Sequence, residues 1–119
     1  MILVDTSVWI DHFRFGSSRL RELLDEGQVL THRFVIGELA CGNLRNRSRI
    51  LTDLEALPAA LVADHSEVVR LVSKQKLWGK GLGWIDCHLL ASAILSHCSL
   101  WTLDRVLERT TSALQPKSF

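Results

Sequence analysis

Apolar and polar positions follow one another along this chain in two rhythms, and each rhythm predicts a kind of element. Ile2, Leu3 and Val4 form a short unbroken apolar run of the sort that makes a buried strand, and Asp5 ends it. Ser7 to Phe13 then reads as a short helix. Leu20, Leu23 and Leu24 recur at helical spacing within Arg19 to Glu26, and Gly27 stops that helix. Gln28 to Thr31 reads as a second short strand, Phe34 to Cys41 as a helix stopped by Gly42, and Arg49 to Leu57 as a helix stopped at Pro58. Leu61 and Val62 suggest another short strand, and Val68, Val69, Leu71 and Val72 place a helix over Ser66 to Leu77. "WGKGLG" is a glycine-rich loop. Trp84 to His97 is the longest and most apolar helix, and Ser99 to Leu103 is a strand. A short helical piece follows Asp104, and Ala113 to Gln115 reads as a last strand. Short strands alternating with helices predict an α/β domain with a mainly parallel sheet. Ligands in such folds sit at the carboxyl ends of the strands, where Asp5 and Asp104 lie.

Against that pattern a few acids are out of place. On the helix from Trp84, the residues His88, Ser92 and Ser96 recur every four positions and make one polar line. Asp86 points roughly 200° away from His88, onto the face that holds Leu90, Ala93 and Ile94. A bare charge on an apolar face is costly unless it is paired or bound to metal. The plainer explanation is a first-turn acid favoured by the helix dipole, which accounts less well for this face. Glu38 repeats the anomaly, with Phe34 and Val35 one turn before it and Gly42 one turn after. Its alternatives are an inward functional role or a stripe-edge glutamate paired with Arg33 or Arg45. Asp5 and Asp104, each between a strand and a helix, have the helix N-cap as the simpler reading when taken singly. In "VDTS" and "TLD", however, hydroxyl residues stand beside the acid, and Thr6, Ser7 and Thr102 can orient a carboxylate by hydrogen bonds. Carboxylates crowded into one pocket raise one another's pKa. A hard divalent cation removes that repulsion, and Mg²⁺ is usually held by one or two carboxylates together with waters and substrate phosphates. Such a centre suits phosphoester hydrolysis.

Composition narrows the options further. The chain has 119 residues, 47% of them hydrophobic, which fits a single domain over residues 1–119 with its own core. Cys41, Cys87 and Cys98 lie in apolar runs with no C-x-x-C pair, as expected of buried reduced thiols rather than a zinc site. Asp5 interrupts the first apolar run before a signal peptide can form, and no stretch is apolar enough for a membrane span; both point to the cytoplasm. Net charge is only +1, so it does not announce a nucleic-acid binder. The basic residues are nevertheless clustered, as Arg45, Arg47 and Arg49 and as Lys74, Lys76 and Lys80. Each cluster alone reads as a solvated helix face, and it becomes a phosphate-contact candidate if an acidic centre lies near it. Trp78, between the lysines, offers a stacking surface for a base, although a core or dimer-interface place is the stronger expectation. Trp9, Trp84 and Trp101 are expected in the core. His12, His32, His65, His88 and His97 lack zinc-hydrolase spacing and read as surface or satisfied core positions, with His88 and His97 near a dimer surface.

"ILVDTSVWI", "ELACG", "GWIDCHLLASA" and "LWTLD", in this order and spacing, resemble the PIN-domain proteins, and within them the VapC toxins of VapBC toxin–antitoxin systems. The resemblance covers essentially the whole chain. It implies an α/β/α three-layer sandwich around a parallel sheet and an endoribonuclease dependent on Mg²⁺ or Mn²⁺. It also implies a homodimer, inhibited by a VapB-type antitoxin whose C-terminal segment enters the active-site groove. Asp5, Glu38, Asp86 and Asp104 match the family's four acids, which bind metal and carry catalysis. Thr6 and Ser7 match the polar residues after the first acid, and Thr102 the hydroxyl residue before the last. Rival readings are a DNA or flap-type nuclease of the same superfamily and a partner-binding module that has no catalysis. "QPKSF" is not a clear final strand, which leaves the last sheet edge open.

Overall fold

A computed structural model describes residues 1–114. Its elements are β1 (Ile2–Val4), α1 (Thr6–Phe15), α2 (Ser18–Asp25), β2 (Val29–Leu30), α3 (Arg33–Cys41), α4 (Arg47–Glu55), α5 (His65–Lys74), α6 (Trp84–Leu95), β3 (Ser99–Trp101) and α7 (Arg105–Leu114). The described strands form one parallel sheet in the order β2-β1-β3. β1 is central, with Leu3 opposite Leu30 on one side and Leu100 on the other. Successive strand residues face opposite ways, yet Ile2, Leu3 and Val4 are all buried. Helices therefore cover both faces, and the architecture is an α/β sandwich. β1 and β3 run side by side in the same direction, which brings Asp5 and Asp104 to the same end of the sheet.

The main core gathers Leu3, Val4, Val8, Trp9, Leu20, Val35, Leu39, Leu89, Leu100 and Leu107 from strands and helices together. A smaller cluster of Ala63, Val68, Cys87 and Ala91 lies between α5 and α6, with Leu71, Val72 and Leu82 packed on it. α6 is buried on nearly every side from Cys87 to Ala93, so the line of His88, Ser92 and Ser96 is not a wet face. Instead, Ser96 Oγ accepts the Leu61 amide and Ser92 Oγ lies 3.4 Å from the Ala63 amide.

Those serine bonds explain one departure from the sequence expectation. Leu61 and Val62 are not a strand; both are exposed, because their stretch of backbone bonds to helix side chains rather than to a ladder. A single parallel bridge, Thr31 to Ala59, sits just before them. Ala113 and Leu114 are likewise helical, as the end of a ten-residue α7, and Gln115 lies outside the described residues with the rest of "QPKSF". Cys41 is exposed at the end of α3, whereas Cys87 and Cys98 are buried thiols as expected. Trp9 is buried and Trp101 packs against the core, but Trp84 is 43% exposed and Trp78 is 63% exposed. Trp84 opens a helix whose inward side begins at Cys87, so the first turn leaves its indole at the rim.

Candidate active site

Asp5 begins the site because of what its side chain does not do. It occupies the N-cap position of α1, but its carboxylate makes no capping hydrogen bond. Two hydroxyls claim it instead. Ser7 Oγ and Thr102 Oγ1 each donate to Oδ2, both at 2.7 Å. Each hydroxyl in turn accepts a backbone amide at 3.0 Å, Ser7 from Leu103 and Thr102 from Asp104. A hydroxyl has one proton to give. With an amide already pointed at its oxygen, that proton is directed at Asp5. The clamp joins residues 97 positions apart, through the pairing of β1 with β3. It fixes the carboxylate from one side and leaves Oδ1 without a hydrogen bond among the described residues.

Asp104 behaves as the simpler reading of an acid after a strand would have it. Its Oδ1 accepts the Leu107 amide at 2.9 Å and caps α7, while its other oxygen makes no described bond. Asp86 sits in the first turn of α6, where its Oδ2 accepts the Gly83 amide at 2.9 Å. It is half-buried, and burial pushes its pKa up; the Gly83 amide opposes this, and the charges of Asp5 and Asp104 push it further up. Asp86 thus lies close enough to Asp5 and Asp104 to feel their charges. Glu38 joins through α1. Thr6 Oγ1, from the residue after Asp5, donates to Glu38 Oε1 at 2.7 Å. Glu38 is exposed rather than inward, and among the described residues it makes no ion pair with Arg33 or Arg45; its place is the wall of the clefts at this end of α3.

Two clefts meet at Glu38. One, of about 760 Å³, is lined by Ile10, Phe13, Arg14, Leu39, Arg45 and Ile50 among others. The other, of about 480 Å³, runs between α3 and α6 along Phe34, Gly37, Trp84 and Ile85, with Arg33 at its edge. Arg45 therefore shares a cleft with Glu38. Arg47 is engaged locally, donating from Nε and Nη2 to the Ala40 carbonyl at the end of α3. Arg49, Lys74, Lys76 and Lys80 are exposed.

The donor set is all oxygen, and negative charge accumulates where a cation would relieve it. That chemistry fits a hard ion that keeps several waters and takes one or two carboxylates directly. Among the described residues, no three acidic, histidine or cysteine side chains are gathered closely enough to ligate one ion together.

Sequence reasoning passed over two parts of the site. One is the Gly83 amide on Asp86; its signal is an acid three residues after the N-cap, the half of a capping box that a glycine N-cap leaves possible. The other is the support beneath α3. His32 is fully buried, its Nδ1 accepts the Phe34 amide at 3.0 Å, and its Nε2 lies 2.9 Å from Ser92 Oγ. With Nδ1 accepting, Nε2 holds the ring proton and donates it to the serine. His88 is also buried, between Phe34 and Trp84, and its Nδ1 has no partner among the described residues. His97 is exposed.

Comparison with known proteins adds an independent line. The PIN domain family model matches residues 2–112. A protein named Ribonuclease VapC32 from Mycobacterium tuberculosis, strain ATCC 25618 / H37Rv, is 47% identical over 109 residues, covering 91% of this chain and 88% of the relative. The protein of the same name from strain CDC 1551 / Oshkosh matches to the same extent.

Proposed function

The chain belongs to the PIN-domain family as an endoribonuclease of the VapC toxin type, and we propose that Asp5, Glu38, Asp86 and Asp104 are its catalytic centre, loaded with Mg²⁺ or Mn²⁺ and acting on RNA in the cytoplasm. The observation that carries this reading is the double hydroxyl clamp on Asp5. Two hydroxyls, two backbone amides and two strand ends are spent on aiming one carboxylate that caps nothing. Preorganisation of this kind is what a reacting group needs.

In this reading Asp5 presents Oδ1, and Asp86 and Asp104 present the oxygens not used by Gly83 and Leu107. The chemistry a bound divalent cation supplies is activation of water and stabilisation of charge on the attacked phosphate. Glu38, tethered through Thr6, orients the attacking water or completes the metal's shell. Arg45, Arg49, Lys74, Lys76 and Lys80 contact phosphates along the strand, and Arg47 does so less, being held at Ala40. The products are a 5′-phosphate and a 3′-hydroxyl. A VapB-type antitoxin inhibits by placing its C-terminal segment in the cleft beside Glu38, and residues 1–119 act as one domain within a homodimer. Among the described residues no helix is long and apolar enough to cross a membrane.

The test is end-mapping of cellular RNA after brief expression, with Asp5→Asn as control, followed by purified protein on RNA and DNA in Mg²⁺ and in chelator. Metal-dependent RNA ends that vanish in Asp5→Asn are expected. Full, wild-type cleavage by both Asp5→Asn and Asp86→Asn would falsify the assignment. Preference for DNA would support the flap-type reading, and no cleavage of either would support the binding module.

A further inference from the structure

The loop between α5 and α6 is built in an unusual way. α5 ends in a Schellman turn: Lys76 takes a left-handed φ of 53°, Leu77 N–H bonds Val72 O at 2.9 Å, and Lys76 N–H reaches Ser73 O at 3.4 Å. Leu77 is thereby driven inward, to 4% exposure. At the far end Leu82 packs against both apolar clusters, and the Gly83 amide is bonded to Asp86. Between these anchors Trp78, Gly79, Lys80 and Gly81 are all exposed, and the two glycines have φ of 70° and 85°. The Trp78 side chain makes no hydrogen bond or ring contact with any described residue. One exposed apolar residue needs no explanation by itself. Here, however, the residue is an indole, Lys76 and Lys80 lie two positions before and after it in the chain, and its loop is tied to a proposed catalytic carboxylate. Trp78 lies five residues before Gly83, so no more than about 18 Å of chain separates it from the amide bonded to Asp86.

We propose that Trp78 is a stacking platform for an unpaired base of the RNA substrate, with Lys76 and Lys80 holding the phosphates beside it. The proposal rests on the ribonuclease reading above and adds a residue that contacts a substrate base. Stacking on an indole requires a base that is free of its own helix, so the strand near the cut is single-stranded, as in a loop or an end. It also assigns roles within the loop. The indole binds a base face without regard to its identity, and the lysines supply the salt-dependent part of the affinity.

The experiment uses full-length protein carrying Asp5→Asn so that RNA survives, and a labelled mixed-sequence single-stranded RNA of about 12 nucleotides. Trp78→Ala is expected to weaken binding roughly 10- to 100-fold, with an unchanged salt slope. Trp78→Phe restores most of the loss, and Lys80→Ala flattens the salt slope. A strand of equal length without bases binds Trp78→Ala and its parent alike. Equal affinity of Trp78→Ala and its parent for the intact strand overturns the proposal, as does an equal loss on the base-free strand. If the wild type still cleaves RNA in either case, only the stacking role has failed. If the wild type neither binds nor cleaves RNA, the ribonuclease reading fails with it. Altered self-association in Trp78→Ala with unaltered RNA binding would reassign the indole to a protein contact.

Discussion

Acidification sets a protonation the fold resists against one the unfolded chain accepts. His32 caps α3 through Nδ1 and reaches Ser92 through Nε2, so both ring nitrogens are in use in the neutral form. A second proton on Nδ1 would face the Phe34 N–H, donor against donor. Burial first, then the nearby His88 and Arg33, lower the His32 pKa from 6.5 to about 4. The folded pKa is depressed, so the unfolded chain takes up a proton below 6.5 that the folded chain refuses. Stability is therefore complete above that value and declines as pH falls toward about 4. At 1.36 kcal/mol per pH unit the interval corresponds to roughly 3 kcal/mol, and solvent screening trims this to about 2–3 kcal/mol. His12 and His88, also lowered chiefly by burial, act in the same direction, and Asp86, whose pKa is raised, acts against them. The perturbation that isolates His32 is His32→Asn, because asparagine still caps a helix and takes no proton. Urea unfolding of both proteins at steps between pH 7 and pH 4 is the assay. The variant starts about 1 kcal/mol lower at pH 7, from the lost Ser92 bond. The wild type should then lose about 2–3 kcal/mol more than the variant on descent to pH 4. Parallel curves would refute both the tautomer and the buried neutral state.

Two other outcomes follow from the acid cluster. Ser7→Ala and Thr102→Ala should each lower kcat roughly 10- to 100-fold with little change in KM, since each removes one charged hydrogen bond that aims Asp5. The double variant should lose less than the product of the two, and strict multiplicativity in steady-state kinetics would show that the hydroxyls do not act as one clamp. Asp86→Asn should raise the melting temperature in chelator at neutral pH, because burial and the charges of Asp5 and Asp104 disfavour its carboxylate. A raised folded pKa makes the native state relatively more stable as pH falls. The advantage of the variant should therefore shrink as pH falls from neutral through the raised folded pKa toward the ordinary aspartate value, and a melting temperature lowered at neutral pH would contradict the repulsion.

What was legible in the chain by itself were the features carried by short-range pattern. The strand at Ile2–Val4 follows from an unbroken apolar run, the helices from apolar positions at a period of 3.6 residues and the parallel α/β layout from their alternation, and the structure shows them. The acids stood out for the same reason: Asp86 and Glu38 break an apolar rhythm, and Asp5 and Asp104 end strands. Pattern could not say which acid was a cap. Asp104 caps α7 and Asp5 caps nothing, although both follow a strand and precede a helix. The difference is made by Thr102, which reaches Asp5 only because β3 pairs beside β1. The same dependence on distant neighbours explains the other departures. Leu61 and Val62 stay out of the sheet because Ser96 and Ser92, about thirty positions away, engage the backbone around them. Trp78 is outside because the turn at Lys76 sends Leu77 inward in its place. Local sequence decides which backbone shapes are cheap and which side chains seek the interior. Which polar groups meet, and hence which carboxylate is held ready for chemistry, is decided only when strands far apart in sequence are paired.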